Sequence, residues 1–437
     1  MTRFDISRRR WIQATSASLL GIAGSPWLPG LARAVASDPG RRRHCILLWM
    51  AGGPSQTDTF DMKPDHENGG EFKEISTSAT GVRFSEHLPT LAKHAENLAI
   101  VRSLNTREGD HARGTQLMRT GKAPGGPVQY PSIGASLAKE ISLPTSNLPD
   151  YVSIGTPPIF SAAAFGPGFL GPKYAPTTVG VTDRPEGQEA PVLLGVNYLS
   201  PADDVDAQQL ARRRDLWETM QRGFLDGHPT ANALAHDTVY RRAMGMMDNK
   251  AGEAFDLSQE DDVVRKAYGP GVFGQGCLLA RRLIERGVPF VEVTLGEDIG
   301  WDTHADNFNR VKTLSQQLDA GWGTLMTELS DRGLLEDTTI LWMGEFGRTP
   351  AINSNTGRDH FPAAWSCVFG GGGIAGGQAY GKTTDDGMEV ADNKVEVGDV
   401  LSTLCKALGV EPEIENETND GRPIKIAEGT PIDAILA

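Results

Sequence analysis

Residues 339–343, Thr-Ile-Leu-Trp-Met, form an apolar run that stops abruptly at Gly344-Glu345-Phe346-Gly347. A short run without polar alternation, bounded by glycine, reads as a strand buried on both faces. The run at 45–50 ends the same way, in Ala51-Gly52-Gly53, and 290–295 ends in Gly296-Glu297-Asp298. Further strand candidates lie at 98–102, 151–154 and 367–369. Between them run helical patterns. Phe308, Val311, Leu314, Leu318, Leu325 and Leu329 make one apolar stripe, predicting a helix over 305–332 with Gly333 as its C-cap. Residues 278–285, Gly287 and the strand at 290 repeat the helix–glycine–strand order. This alternation predicts an α/β chain: a mainly parallel sheet with helices on both faces, a three-layer α/β/α sandwich.

Open α/β sheets place their chemistry outside the carboxyl ends of their strands. Four segments at such exits, or at a helix start, carry ligand-type residues. The loop after 339–343 holds Glu345, Arg348, Arg358, Asp359 and His360. The loop after 45–50 holds Asp58, suited either to a divalent cation or to capping the next turn. Asp110-His111 opens a short helix ending at Gly121. A helix N-terminus offers unpaired N–H groups to an anion, and His111 there fits a ligand, a nucleophile or a plain surface residue. Asp302 and His304 follow 290–295; two apart in an extended loop, they project to one side. Asp with His is a common pair for zinc, although Asp302 or Thr303 equally fits an N-cap. The chain has nine histidines, and three of them fall in these segments. That convergence points to a metal or oxyanion site.

The formal charge of −14 argues against nucleic acid or an anionic membrane as partner. Cys45, Cys277, Cys367 and Cys405 form no CxxC, and the CLLAR run at Cys277 lacks the proline of a sulfatase-type CxPxR. Ser7-Arg8-Arg9-Arg10-Trp11-Ile12, a weakly apolar stretch over 14–31 and a small-x-small site at Ala32-Arg33-Ala34 or Ala34-Val35-Ala36 fit a twin-arginine signal over 1–36. The other reading is a basic arm and a short helix. No later run approaches the roughly 18 apolar residues that span a bilayer. The expected product is periplasmic or secreted: one domain over 40–437. Proline, glycine and two Arg/Gln/Met-rich helices (207–224 and 230–247) mark 144–260 as an insertion or cap.

GGPSQTDTFD (52–61), WDTHADNF (301–308), GEFGRTP (344–350), GRDHFP (357–362) and GGGGIAGGQAYGKTTDDG (370–387) resemble the DUF1501 family. That family is placed in the alkaline-phosphatase-like superfamily with the sulfatases. The resemblance spans nearly all of residues 40–437 and implies a metal site of one or two divalent cations: zinc first, with calcium or manganese as alternatives. On this reading Asp58, Asp302, His304, Glu345 and His360 are ligands, with Asp359 beside them, and Arg348 or Arg358 holds the ester oxygens. The family pattern puts the nucleophile at His111, where relatives have Ser, Thr or modified Cys, and puts Phe346 where a histidine is expected. These departures argue against formylglycine chemistry and leave Thr57, Thr59 or Thr115 as alternatives to His111.

Two functions follow from the resemblance. One is a hydrolase of phosphate, sulfate or related esters, carried by small molecules or polysaccharides. The other is a non-catalytic metal-containing protein that binds an anionic polysaccharide or serves a surface complex.

Overall fold

Strand β1, His44–Met50, is buried at every position, and its side chains alternate between two cores. Ile46, Leu48 and Met50 join one core with Val291, Val293, Ile340 and Trp342. Cys45, Leu47 and Trp49 join the other with Phe290, Leu341 and Met343. A strand apolar on both faces must lie mid-sheet with a layer on each side, and that is where β1 lies. The computed structural model describes residues 43–142, 148–155, 161–183, 190–197, 199, 204–248 and 251–437. The expected signal at 1–36 lies outside them.

Among the described residues the central sheet has nine strands. After β1 come β2 (Leu98–Leu104), β3 (Tyr151–Ile154), β4 (Thr177–Asp183), β5 (Leu193–Gly195), β6 (Phe290–Leu295), β7 (Thr338–Gly344), β8 (Trp365–Gly371) and β9 (Gln378–Tyr380). Their spatial order is β9-β2-β8-β7-β1-β6-β3-β4-β5. β7, β1, β6, β3 and β4 are mutually parallel, so their loops leave along one edge. β8 runs antiparallel to β7 and β2, and β5 antiparallel to β4. The α/β class and the mainly parallel sheet are as expected. The stretch 144–260 is partly woven into the sheet, since it supplies β3, β4 and β5.

Helices α1 (His111–Thr120), α2 (Ile133–Ile141), α3 (Ala207–Gly227), α4 (Ala231–Asp248), α5 (Val272–Glu285), α6 (Asn307–Leu318), α7 (Thr324–Asp331) and α8 (Val397–Ala407) complete the layers. α5 and α7 pack on the first core, α2 and α8 on the second. The single helix expected over 305–332 is divided by a π-turn at Asp319–Gly323. Two causes are visible. The Asp319 carboxylate accepts the amides of Thr90 and Leu91 at 2.9 and 2.8 Å. A Cβ at Gly321 would stand 2.8 Å from the Phe273 ring, and one at Gly323 2.8 Å from Thr90, so only glycine lets the turn approach its neighbours. Among the described residues no helix is long and apolar enough to cross a membrane, and all four cysteines are buried free thiols.

One ion pair is buried in the sheet itself. Glu292 on β6 faces Arg119 of α1, and both are fully buried. The Tyr151 hydroxyl donates to Glu292 Oε2 at 2.7 Å, and the Arg119 guanidinium lies 3.8 Å from the centroid of Phe165. Burial alone would lower the Arg119 pKa, but Glu292 outweighs it and holds the guanidinium charged. The pair pins the carboxyl half of α1 to the sheet and so fixes where its first residue, His111, points. Removing one partner strands a buried charge. Arg119→Met is expected to lower the unfolding free energy by about 3–5 kcal/mol. The double variant Arg119→Met/Glu292→Met is expected to recover most of that loss, read by urea denaturation of the three proteins.

Candidate metal centre

Two strand exits and one helix start meet at a single oxygen, Asp302 Oδ1. His304 Nε2 lies 3.1 Å from it, His360 Nε2 3.2 Å and His111 Nε2 3.5 Å. The two nitrogens of His304 and His360 are 3.0 Å apart. His111 is the first residue of α1, whose N-cap Asp110 accepts the Arg113 amide at 3.1 Å. Asp302 and His304 lie in the loop between β6 and α6. His360 lies in a two-residue antiparallel ladder with Arg348 beyond β7.

The tautomers are fixed from behind. His111 Nδ1 donates to Glu345 Oε1 at 2.7 Å, His304 Nδ1 to Asp359 Oδ1 at 2.7 Å, and His360 Nδ1 to the Gly109 carbonyl at 2.7 Å. A carboxylate or a carbonyl can only accept, so each Nδ1 carries a proton and Nε2 is the nitrogen that each ring turns toward Asp302. This is the outer shell that orients metal-ligating imidazoles. Tetrahedral zinc with bonds of ~2.0–2.1 Å separates its ligand atoms by about 3.3 Å. Asp302 Oδ1 stands 3.2 Å from His360 Nε2 and 3.5 Å from His111 Nε2, which fits that requirement. His111, Asp302 and His360 each offer a ligand atom, all within 4.8 Å of one another. His304, expected as a ligand, stands at the edge of this trio and is 46% exposed.

The electrostatics agree. Burial works against ionised Asp302, but hydrogen bonds from His111, His360 and Arg348 dominate and hold its carboxyl far below the usual range. Burial likewise works against charged His111, yet Asp302 and Glu345 push its pKa up to about 9. Both shifts favour positive charge beside Asp302, where a cation would sit.

The remaining expected residues do other work. Glu345 stands behind His111, where Oε1 also accepts the Gly52 amide at 2.9 Å; its Oε2 is buried without a hydrogen-bond partner among the described residues. Asp359 stands behind His304 and is held by Asn353 Nδ2 at 3.1 Å. Arg348 is fully buried, 2.6 Å from Asp302 Oδ1, and is also bound to the carbonyls of Gly52 and Gly53. Arg358 is fully buried and grips Asp58 in a fork, Nε to Oδ2 at 2.8 Å and Nη2 to Oδ1 at 2.9 Å. Asn307 Nδ2 adds a third donor to Asp58 at 2.8 Å. Asp58 is thus corrected from metal ligand to a satisfied structural carboxylate outside the cluster. Arg348 and Arg358 are corrected from oxygen-holding groups to internal braces, because their donors are spent inside the protein. Asn307 and the Gly109 carbonyl are contributors that the sequence reading missed.

Two outcomes follow. Asp58→Asn and Arg358→Met are each expected to cost about 3–5 kcal/mol of stability without changing bound metal per folded chain, whereas His360→Ala is expected to lose the metal; calorimetry with elemental analysis separates them. In chelator-treated protein the raised His111 pKa contributes stability that is complete below about 6.5 and lost as pH rises through about 9. Urea midpoints across that window should fall in the parent and stay flatter in His111→Asn.

Solved structures similar to this chain are sulfatases and alkaline-phosphatase-superfamily proteins. The PsFucS1 sulfatase from Pseudoalteromonas sp. is 12% identical, with 90% of this chain and 73% of that one covered and a TM-score of 0.43. Alkaline phosphatase from the Antarctic bacterium TAB5 is 13% identical, with 84% and 99% covered and a TM-score of 0.37. No curated protein matches the chain. Residues 42–436 match the family described as Protein of unknown function (DUF1501), and the chain belongs to that family.

Proposed function

We propose that this protein is a metal-dependent hydrolase of phosphate, sulfate or related esters, acting outside the cytoplasm after export by the twin-arginine route. The observation that carries the reading is the convergence of inward-facing imidazole Nε2 atoms on Asp302 Oδ1, each imidazole locked from behind. His111, Asp302 and His360 would hold one divalent cation, zinc by the nitrogen-rich donor set. Three protein ligands with an open fourth position are the arrangement of catalytic zinc sites. Bound there, the cation supplies Lewis acidity, polarising an ester oxygen and acidifying water.

The chain's own groups do the rest. Arg348 positions Asp302 and keeps it ionised. Glu345 holds His111 in the tautomer that turns Nε2 inward. His304, half in solvent and backed by Asp359, is placed as general acid–base: Asp359 holds its Nδ1 proton while Nε2 takes or gives one at the edge of the site. The start of α1 adds positive potential beside the bound anion.

The second reading, a binding protein that keeps the metal without turnover, is favoured by one observation. Arg348 and Arg358, the residues expected to hold the ester oxygens, are both buried and engaged.

The test is purification of the exported protein, elemental analysis, and assay on p-nitrophenyl phosphate, bis-p-nitrophenyl phosphate and p-nitrophenyl sulfate. The expected result is about one zinc per chain and turnover that chelation abolishes and zinc restores. Metal without turnover on any ester selects the binding protein. His304→Gln is expected to keep its metal, lose about 10²–10⁴-fold in kcat and flatten one limb of the pH profile; loss of metal instead would make His304 a ligand. Arg8→Lys/Arg9→Lys is expected to stop export, read by fractionation.

A further inference from the structure

A cavity of about 730 Å³ opens at the carboxyl ends of β3 and β6, next to the metal centre along the same sheet edge. That volume lies within the range of about 300–1,000 Å³ typical of small-molecule sites. The two sites share a wall. Arg310, which lines the cavity, donates Nη1 to the Asp302 carbonyl at 2.9 Å and Nη2 to the Gly300 carbonyl at 3.0 Å, so its charge is committed to holding the Asp302 loop.

The chemistry of the lining is mixed and ordered. Asn309, Thr313 and Gln317 of α6 and its N-cap Asp306 line the cavity beside the apolar Leu314; Asn309 Nδ2 donates to Asp306 Oδ1 at 2.7 Å and Thr313 Oγ1 to the Asn309 carbonyl at 3.0 Å. They offer carboxylate, amide and hydroxyl groups on a rigid element. Val272 and Phe273 from the start of α5 also line it. Polar and apolar side chains held together on two rigid helices match a ligand that carries both hydroxyls and C–H surface. The ionisable groups of the lining are Asp306, Glu297 and the committed Arg310, so the cavity disfavours a polyanion.

We propose that this cavity binds a neutral saccharide. Its position makes it the subsite for the sugar portion of an ester whose charged group sits at the metal centre. The subsite assignment rests on the ester-hydrolase reading; the saccharide site itself does not.

The experiment is titration calorimetry of the metal-loaded full chain with maltotriose, cellotriose and triacetylchitotriose, and with a heparin-derived tetrasaccharide as the anionic probe. The expected result is binding of at least one neutral trisaccharide, and more tightly than the anionic probe. Asn309→Ala/Gln317→Ala should weaken it at least tenfold, and Thr313→Trp, which fills the cavity, should abolish it. Metal content should stay unchanged in both variants and certify that they fold. Saccharide binding of this kind without ester turnover supports the cavity assignment while removing the hydrolase. Turnover without binding of any neutral probe overturns the saccharide site, as does tighter binding of the heparin probe. Binding that neither variant weakens overturns its location.

Discussion

The buried guanidinium of Arg348 is the joint on which the candidate site depends. It binds the carbonyls of Gly52 and Gly53 at the exit of β1 and Asp302 Oδ1 beyond the exit of β6, while its own backbone lies beyond the exit of β7. Its amide is held in turn by Gln56 Oε1 at 3.0 Å. A buried cation of this kind persists only when several acceptors surround it. Those acceptors are the three loops that have to be brought together. Burial lowers its pKa, and Asp302 works in the opposite direction, so the same contact that places the carboxylate keeps both partners ionised. The Arg358–Asp58 fork repeats this arrangement one layer out, tying the β1 exit to the hairpin that carries His360.

The histidines then need little more than direction. Each receives it from one Nδ1 hydrogen bond to a group that can only accept, and two of those acceptors are acidic side chains from the same hairpin region. Small side chains allow the close approach. A Cβ at Gly357 would lie 2.0 Å from the His304 carbonyl, and one at Gly114 3.0 Å from the Phe346 ring. The hairpin can therefore lie flat against the Asp302 loop, and α1 against the exit of β7.

Much of this was legible in the sequence, for a physical reason. Central strands of a parallel sheet are apolar on both faces, so β1, β6 and β7 stand out as unbroken runs, and their glycine-rich exits mark the site edge. β4 and β9 were missed because they lie at or near the sheet margins. Most of Thr177–Asp183 is exposed and carries no continuous apolar signal, and Gln378–Tyr380 spans three residues. The π-turn in the 307–331 helix was hidden because its cause, the capping of Thr90 and Leu91 by Asp319, is a tertiary contact. The cluster of Asp302, His111 and His360 could be listed from spacing and resemblance. Which acidic residues touch it could not. Asp58 at a strand exit reads the same whether it faces a cation or an arginine, and its arginine is 300 residues away. Glu345 and Asp359 were expected as ligands and stand one bond further out, behind imidazoles.

The sequence separations within the cluster also bear on how the protein is made. His111 and its orienting Glu345 are 234 residues apart, and Asp302 and His360 are 58 apart. Contacts of such span form late, because long loops must close before they contribute. A chain emerging amino-end first holds one of these imidazoles for most of its synthesis without the other. An ion bound there would therefore not nucleate folding; it would be a closing latch, added once β1, β6 and β7 are side by side. Metal uptake would accordingly be a readout of finished tertiary structure, and a chain shortened before residue 360 would keep much of its sheet sequence yet have no such centre to load.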